Sequence, residues 1–228
     1  MAETRERIDG ATPTVSSPRP YRRWALRAAV GYVVVVIASQ FALQGAVVVA
    51  RWLSDDPRTE LSGVPNFRVV DSDVWAGGQP YDEATYRKLA DQGVRLVVDV
   101  RTGAPDDRNE DDPAFLRTLG IDYLRLPVRD GHVPSDDQVE QFVSAVQQAD
   151  GIVLLHCGGG AGRSSAFTAA YARRVGEDVD VGGQLSIGTH TVEQLWFLAT
   201  GDTNPVVRRV SEALDAPRRA WSRLGQAF

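Results

Sequence analysis

The chain has 228 residues, which is enough for one sizeable folded domain and additional segments. Its formal net charge of -5 argues against a nucleic-acid-binding protein, which would carry a strongly basic face, so we expect no nucleic-acid partner. A single cysteine, Cys157, excludes an intrachain disulfide.

The N-terminal segment, residues 1–27, is polar and rich in arginine. It contains many prolines, serines and threonines and few of the apolar residues that a folded core needs, so we predict that it is disordered.

Residues 28–50 contain no charged side chain and consist mainly of Val, Ala, Ile, Leu and Phe. The run is longer than the ~20 residues that a helix needs to cross a bilayer, and Trp24 and Trp52 flank it as interfacial anchors do. A buried core helix and a cleavable signal peptide are the alternative interpretations. Because the run is more apolar than most soluble helices and longer than a signal-peptide core, we predict an uncleaved single-pass transmembrane helix in contact with lipid.

Arginine distribution predicts the orientation of this helix. All arginines of the N-terminal segment precede it, whereas Arg51 and Arg58 follow it among acidic residues. The positive-inside rule therefore places the N-terminus in the cytoplasm and the folded domain outside.

Beyond the helix we predict a polar linker over residues 51–62, a folded domain over residues 63–202 and a basic C-terminal helix or tail over residues 203–228. Within the domain, strands are predicted at 67–70, 94–100, 121–128 and 152–155, and helices at 81–92, 113–119, from 136, after 163 and at 191–199. Residues 74–80 are predicted to form a turn, and residues 102–112 and 177–187 to form loops. This order implies an α/β fold with a largely parallel central sheet flanked by helices.

The tail carries an apolar stripe and five arginines, and Pro217 is expected to interrupt it. This pattern is compatible with contact to anionic lipid. Packing of a solvated helix on the domain is the alternative, which we favour.

A glycine-rich segment joins the predicted strand 152–155 to the helix that follows it. His156 and Cys157 end the strand, five small residues follow, and Arg163 and Ser164 open the helix. The five small residues are Gly158, Gly159, Gly160, Ala161 and Gly162. At such a turn the backbone N–H groups converge, and the helix dipole favours an anion. The planar fork of an arginine grips phosphate well, so the segment predicts a phosphate-binding loop.

Cys157 lies at the centre of this positive field. Such a field favours the thiolate, which is the nucleophilic form of cysteine. Ser164 can donate a hydrogen bond to the sulfur. A thiolate that points into a phosphate cradle predicts covalent phosphoryl transfer, with no metal or cofactor implied.

The spacing His156-Cys157, five residues, Arg163-Ser164 resembles the signature of the cysteine-dependent, dual-specificity-like protein tyrosine phosphatases. Residues 74–80 and Asp99-Val100-Arg101 are similar to further segments of that family. The resemblance implies a three-layer phosphatase domain, a phosphocysteine intermediate, and substrate binding by residues 158–163. It also implies an intracellular setting, which argues against the orientation inferred from the arginines.

The family uses an aspartate on a loop upstream of the cysteine as general acid and base. Asp130 is the candidate by position, since it follows a predicted strand in a loop rich in turn formers. We expect that strand to lie next to the cysteine's strand, which would bring both loops to one edge of the sheet. Asp136 and Asp137 are alternates, although the helix dipole already explains acids in a first turn. We expect His132 to be an exposed loop histidine and His156 to support the loop structurally.

The residues between Cys157 and Arg163 carry no charge. Family members that act on inositol phospholipids often have lysines there, so this loop favours phosphotyrosine- or phosphoserine-type monoesters. A phosphoinositide or small-molecule phosphatase remains an alternative. A catalytically inactive, membrane-tethered phosphate-binding module and a rhodanese-like sulfur transferase are the other readings. The predicted partners are therefore a phosphorylated protein or a small phosphate ester, and the bilayer.

Overall fold

The computed structural model describes residues 20–53, 61–102, 113–177, 179–185, 188 and 190–225. The chain divides into two compact units, residues 1–38 and residues 39–228. The predicted loop over 102–112 falls, apart from its first residue, outside the described residues. So does most of the N-terminal segment that was predicted to be disordered.

The described residues contain helices and strands in alternation. The helices are α1 (Pro20–Trp52), α2 (Glu83–Asp91), α3 (Pro113–Thr118), α4 (Asp136–Gln148), α5 (Gly162–Val175), α6 (Val181–Gln184), α7 (Val192–Thr200) and α8 (Pro205–Gly225). The strands are β1 (Arg68–Val69), β2 (Val74–Gly78), β3 (Val94–Asp99), β4 (Asp122–Arg125) and β5 (Ile152–Cys157).

One five-stranded sheet organises the second unit, in the order β1-β2-β5-β3-β4. Strand β1 pairs antiparallel with β2, and every other neighbouring pair is parallel. Gly78 is in register with Cys157, and Asp99 with His156, so β2, β5 and β3 end together at one edge. Open parallel sheets bind their ligands at this carboxyl edge.

Side chains alternate between the two faces of the sheet, as strand geometry requires. Val98 and Leu155 pack on one side against Phe142 of α4 and Phe167 of α5. Val97 lies on the other side among residues of α2 and α3. Helices therefore cover both faces, and the predicted α/β fold with a largely parallel central sheet is confirmed.

Helix α1 is the candidate membrane span. Among the described residues it is the one helix, over Arg23–Trp52, that is long and apolar enough to cross a bilayer. In the first unit its apolar side chains are exposed, including Val34 and Ile37, each more than half accessible. In the second unit Val47 is buried with Leu198, and Gln44 Nε2 donates to Gly188 O at 3.1 Å.

Two predictions about the sheet were wrong. Residues 74–80 were predicted to form a turn, but Val74–Gly78 forms β2 between β1 and β5. The strand that precedes Asp130, β4, is not the neighbour of β5, because β3 lies between them. Both strands are nevertheless parallel, so the loops that follow them still emerge at the same edge.

The C-terminal part of the domain also differs from prediction. A short helix, α6, interrupts the predicted loop over 177–187. Pro217 does not end α8, which continues on both sides of it. A proline removes one backbone donor from a helix, and tertiary packing can outweigh that loss. Ser211 and Asp215 of α8 are buried, so this helix packs on the domain.

A buried ion pair closes the carboxyl end of β3. Arg101 Nη2 lies 2.9 Å from Asp99 Oδ2, and Arg101 Nε donates to Asp99 Oδ1 at 2.9 Å. Tyr123 also donates to Asp99 Oδ2 at 2.9 Å. Burial acts to raise the pKa of the Asp99 carboxyl. The hydrogen bonds and charge of Arg101, together with His156, outweigh burial and hold that pKa below its ordinary value.

We expect Asp99→Asn to lower the free energy of unfolding by about 3–5 kcal/mol, because it leaves the guanidinium of Arg101 buried without its counter-charge. Urea unfolding of the full chain in a mild detergent measures this. Glu83→Gln is the control, since it removes an exposed ion pair with Arg87 that contributes less than about 0.5 kcal/mol. Equal unfolding midpoints for Asp99→Asn and the wild type would refute this role.

The lowered pKa of Asp99 also predicts how its contribution to the free energy of unfolding depends on pH. A carboxyl whose folded-state pKa is depressed stabilises the protein at pH values above the unfolded pKa, which is about 3.9 for aspartate. The stability difference between wild type and Asp99→Asn should therefore be constant near neutral pH. This stability difference should shrink as the pH falls through the folded-state pKa of Asp99.

Candidate active site

The glycine-rich loop lies where β5 ends and α5 begins. Cys157 is the last residue of β5, and Gly162 is the first residue of α5. Ala161 stands at the N-cap, where it provides no side-chain hydrogen bond to the helix, whereas Asp82 and Ser135 cap α2 and α4. The first turn of α5 therefore keeps backbone donors for an anion.

The sulfur of Cys157 faces into this loop. Gly160 N–H donates to Cys157 Sγ at 3.2 Å, and the cysteine is 3% exposed. The sulfur therefore accepts a hydrogen bond from the backbone of its own loop. The nucleophile is thus held at the floor of the loop.

Gly160 has to be glycine on two grounds. Its φ is +75°, in the left-handed region that residues with side chains rarely adopt. A Cβ at this position would also collide with the backbone of Gly77 and Gly78. The loop can therefore curl against the end of β2 only because both partners lack side chains.

Arg163 closes the other side of the loop. Its Nη1 donates to Val128 O at 3.4 Å. Its Nη2 would lie 3.8 Å from a Cβ placed on Gly158, so the guanidinium reaches back over the start of the loop. The side chain is 12% exposed. A partly desolvated guanidinium at the start of the loop is well placed to bind a tetrahedral oxyanion.

Asp130 is the candidate acid that the fold brings to this mouth. Its Oδ1 lies 3.6 Å from Arg163 Nε, and its side chain is 60% exposed. Asp136 and Asp137 instead stand in the first turn of α4, which Ser135 caps with a capping box. The three aspartates therefore occupy different settings, and only Asp130 forms a described contact with the loop arginine.

Ser164 does not make the predicted contact with sulfur. It is fully buried, and its hydroxyl donates to Gly77 O at 3.0 Å. Because Gly77 belongs to β2, the serine fastens the start of α5 to the neighbouring strand. The described donor to the sulfur is the backbone of Gly160 instead.

His156 and His132 are both buried and contact other parts of the fold. His156 is fully buried, with Nδ1 3.3 Å from Cys157 O. His132 was expected to be exposed, but it is 7% accessible and its Nδ1 lies 2.9 Å from Glu193 Oε2. Arg208 also pairs with this carboxylate at 2.9 Å. The segment that carries Asp130 is therefore fastened to α7 and α8.

Sequence reasoning missed two residues that contact the loop from outside. Asn66 Nδ2 donates to Gly159 O at 2.7 Å, and Arg68 Nη1 donates to Gly160 O at 3.0 Å. Both lie about 90 residues upstream of the loop. A signal existed for Arg68, since it is a charged residue inside a predicted apolar strand. The sequence pattern alone could not predict which residues the Arg68 guanidinium would contact.

These residues form a site suited to one kind of chemistry. A buried sulfur nucleophile lies under backbone donors and a guanidinium, and a carboxyl group stands at the entrance. The donors fit an anion with tetrahedral oxygens, and the carboxyl can exchange a proton with a departing or entering oxygen.

Comparison with solved structures finds similar chains. A DUF442 protein from Shewanella putrefaciens CN-32 is 22% identical, with 69% of this chain and 95% of that chain covered and a TM-score of 0.48. TpbA of P. aeruginosa, solved with phosphotyrosine, is 21% identical over 58% of this chain and 84% of its own, with a TM-score of 0.47. PTPMT1, solved with PI(5)P, is 18% identical over 69% of this chain and 99% of its own, with a TM-score of 0.47.

Comparison with protein families gives a match over residues 59–197, which is more than half of the 228 residues. The matching family model is described as a DSP-PTPase phosphatase fused to NAD+ kinase. The matched range contains the loop, Arg163 and Asp130. The resemblance stated from the His-Cys-x5-Arg-Ser spacing is thereby confirmed, and the chain belongs to this family of dual-specificity-like protein tyrosine phosphatases.

Proposed function

We propose that this protein is a membrane-anchored phosphatase that hydrolyses phosphate monoesters through a phosphocysteine intermediate. The observation that carries the proposal is the Gly160 N–H directed at Cys157 Sγ in a loop whose start lies beside the Arg163 guanidinium. A thiolate held in this way points at the position that a bound phosphorus atom would occupy.

The reaction has two displacements. In the first, Cys157 Sγ forms a bond to phosphorus as the ester P–O bond breaks, and the Asp130 carboxyl protonates the leaving oxygen. In the second, the Asp130 carboxylate takes a proton from water, the water oxygen bonds to phosphorus, and the S–P bond breaks. Orthophosphate leaves and the thiolate is restored. The loop N–H groups and Arg163 stabilise the charge on the equatorial oxygens in both steps.

The substrate proposal follows from the charge of the loop. Residues 158–162 supply backbone donors and no side-chain cation, so one phosphoryl group is matched by Arg163 alone. This supports phosphotyrosine- or phosphoserine-type monoesters over a multiply phosphorylated inositol headgroup, which benefits from extra cations. Turnover of a phosphopeptide panel against inositol phosphates separates the two.

The membrane proposal rests on α1. Residues 28–50 would form the membrane span, and its C-terminal turns, which carry Gln44 and Val47, would meet the catalytic domain. Residues 51–62 would link the helix to a catalytic domain over residues 63–202, and residues 203–228 would form its C-terminal helix. The arginines before residue 28 support a cytoplasmic N-terminus and an extracytoplasmic catalytic domain.

Cys157→Ser should lower kcat by about 10⁴-fold or more, because a neutral hydroxyl replaces the thiolate nucleophile. Hydrolysis of p-nitrophenyl phosphate by the full chain in detergent measures this. Binding of inorganic phosphate, followed by thermal shift, should persist because the loop and Arg163 are unchanged. Appreciable turnover by the serine variant would rule out covalent catalysis by Cys157.

Asp130→Asn should lower kcat by about 10²- to 10⁴-fold for phenyl phosphate, whose leaving group needs a proton. The loss should be smaller for p-nitrophenyl phosphate, because nitrophenolate leaves without full protonation. Asp136→Asn and Asp137→Asn are matched controls. For each, the ratio of kcat between the two esters should equal that of the wild type. If either control showed the leaving-group dependence and Asp130→Asn did not, the acid would be reassigned.

The orientation predicts protease sensitivity. In intact cells that carry an epitope at the C-terminus, externally added protease should remove the epitope, because the catalytic domain lies outside. Protection in intact cells together with cleavage after permeabilisation would place the domain in the cytoplasm. The control is a cytoplasmic protein that stays intact until the cells are permeabilised.

A further inference from the structure

The outer rim of the catalytic loop is tied by three hydrogen bonds from one segment of the chain. Gly158 O accepts from Gln79 N at 3.1 Å. Gly159 O accepts from Asn66 Nδ2 at 2.7 Å, and Gly160 O accepts from Arg68 at 3.0 Å. Three successive carbonyl groups of the loop are therefore held from the side of β1 and β2.

Peptide geometry turns these ties into an orientation of the opposite groups. In a trans peptide the C=O and the following N–H point in opposite directions. Pulling the carbonyls of residues 158–160 outward therefore directs the N–H groups of residues 159–161 inward. Of these three N–H groups, the one of Gly160 donates to Cys157 Sγ, at a distance of 3.2 Å.

Arg68 is the charged member of this set. It is 6% exposed, and it pairs with Ala76 across the two strands, where the small partner leaves room for a guanidinium. Its Nη2 also lies 3.3 Å from Thr168 Oγ1 and 3.5 Å from Ser165 Oγ, both in α5. One planar group thus spans the loop and the helix that follows it.

The positive charge of Arg68 acts in a poorly solvated region. His190 is 1% exposed, and burial lowers the pKa of its imidazole while the charge of Arg68 lowers it further. Because Arg68 and His190 are both buried, water screens the charge of Arg68 weakly. The same charge lies behind the loop that holds the sulfur.

We infer that Arg68 is a positioning residue for phosphoryl transfer. From behind the loop it fixes the Gly160 carbonyl, and this directs Ala161 N–H at the bound phosphate. Its buried charge also adds a positive field behind the loop that binds the phosphate dianion. Arg68 touches neither the sulfur nor the substrate, so it acts through the loop. The inference rests on the proposed function and adds a second arginine to it.

Two substitutions of Arg68 separate the effect of its hydrogen bonds from the effect of its charge. Arg68→Met keeps an unbranched apolar stem but removes both the charge and the donors, whereas Arg68→Lys keeps the charge but cannot span Gly160 O and Thr168. The matched control is Arg95→Met. Arg95 also donates to backbone carbonyls, those of Ala90 and Val94, but it belongs to the N-terminal end of β3, away from the loop.

The measurements use the full chain in detergent. The pH dependence of iodoacetamide alkylation reports on Cys157 alone, because the sequence has no other cysteine. Inhibition by inorganic phosphate reports on anion binding, and p-nitrophenyl phosphate gives kcat and KM. A wild-type protein without turnover would contradict the proposed function, whereas alkylation and phosphate binding would still report on Arg68.

For Arg68→Met we expect kcat/KM to fall about 10- to 100-fold, as for other residues that orient a site indirectly. The alkylation profile should change, because the loop around the sulfur is no longer held in place, and phosphate should bind more weakly. Arg68→Lys should retain the wild-type alkylation profile but lose part of kcat, and Arg95→Met should match the wild type.

The inference is overturned if Arg68→Met keeps the wild-type alkylation profile and a kcat/KM within about twofold of wild type. It is also overturned if Arg95→Met shows the same losses, since the effect would then be general destabilisation. Should Arg68→Met fail to fold, Arg68→Lys decides the matter, and wild-type kcat in that variant would refute the positioning role.

Discussion

The organising constraint of this molecule is the glycine-rich loop at the start of α5, where the backbone N–H of Gly160 is directed at Cys157. Helix α5 must begin with unpaired donors, and Ala161 provides no side-chain cap for them. Gly160 then curls the chain so that one donor reaches the sulfur at 3.2 Å. The loop is therefore a site for negative charge before any substrate arrives. The surrounding residues hold that arrangement in place.

Two groups of hydrogen-bonded polar side chains hold the loop, one on each side of β5. On the β3 side, the buried pair Asp99–Arg101 holds Gln79, since Arg101 Nη1 donates to Gln79 Oε1 at 2.6 Å. Gln79 N in turn donates to Gly158 O at 3.1 Å. On the β1 side, Arg68 holds the next turn of the loop. Buried charges are costly unless hydrogen-bonded, and both guanidiniums meet this need with loop or loop-supporting oxygens. Fold stability and loop geometry thus depend on the same contacts.

Sequence reasoning found what is local in the chain. The loop, its cysteine and its arginine occupy one continuous segment, and alternating strands and helices predicted the α/β fold. It failed where a contact joins distant residues. Strand β2 was taken for a turn because Gly77 and Gly78 are turn formers, yet the missing side chain of Gly78 allows the loop to approach β2. His132 was expected to be exposed because its partner, Glu193, is 61 residues away. Ser164 was assigned to the sulfur because Gly77 O could not be placed beside it.

The presence of a single cysteine has a consequence for oxidative damage. A nucleophilic thiolate is the form that peroxide converts to sulfenic acid, and many enzymes rescue that acid by forming a disulfide with a second cysteine nearby. These 228 residues contain no second cysteine. Within these residues, recovery of oxidised Cys157 then requires a small thiol from solution or capture by a neighbouring backbone nitrogen. Activity in such a protein follows the redox poise of its compartment.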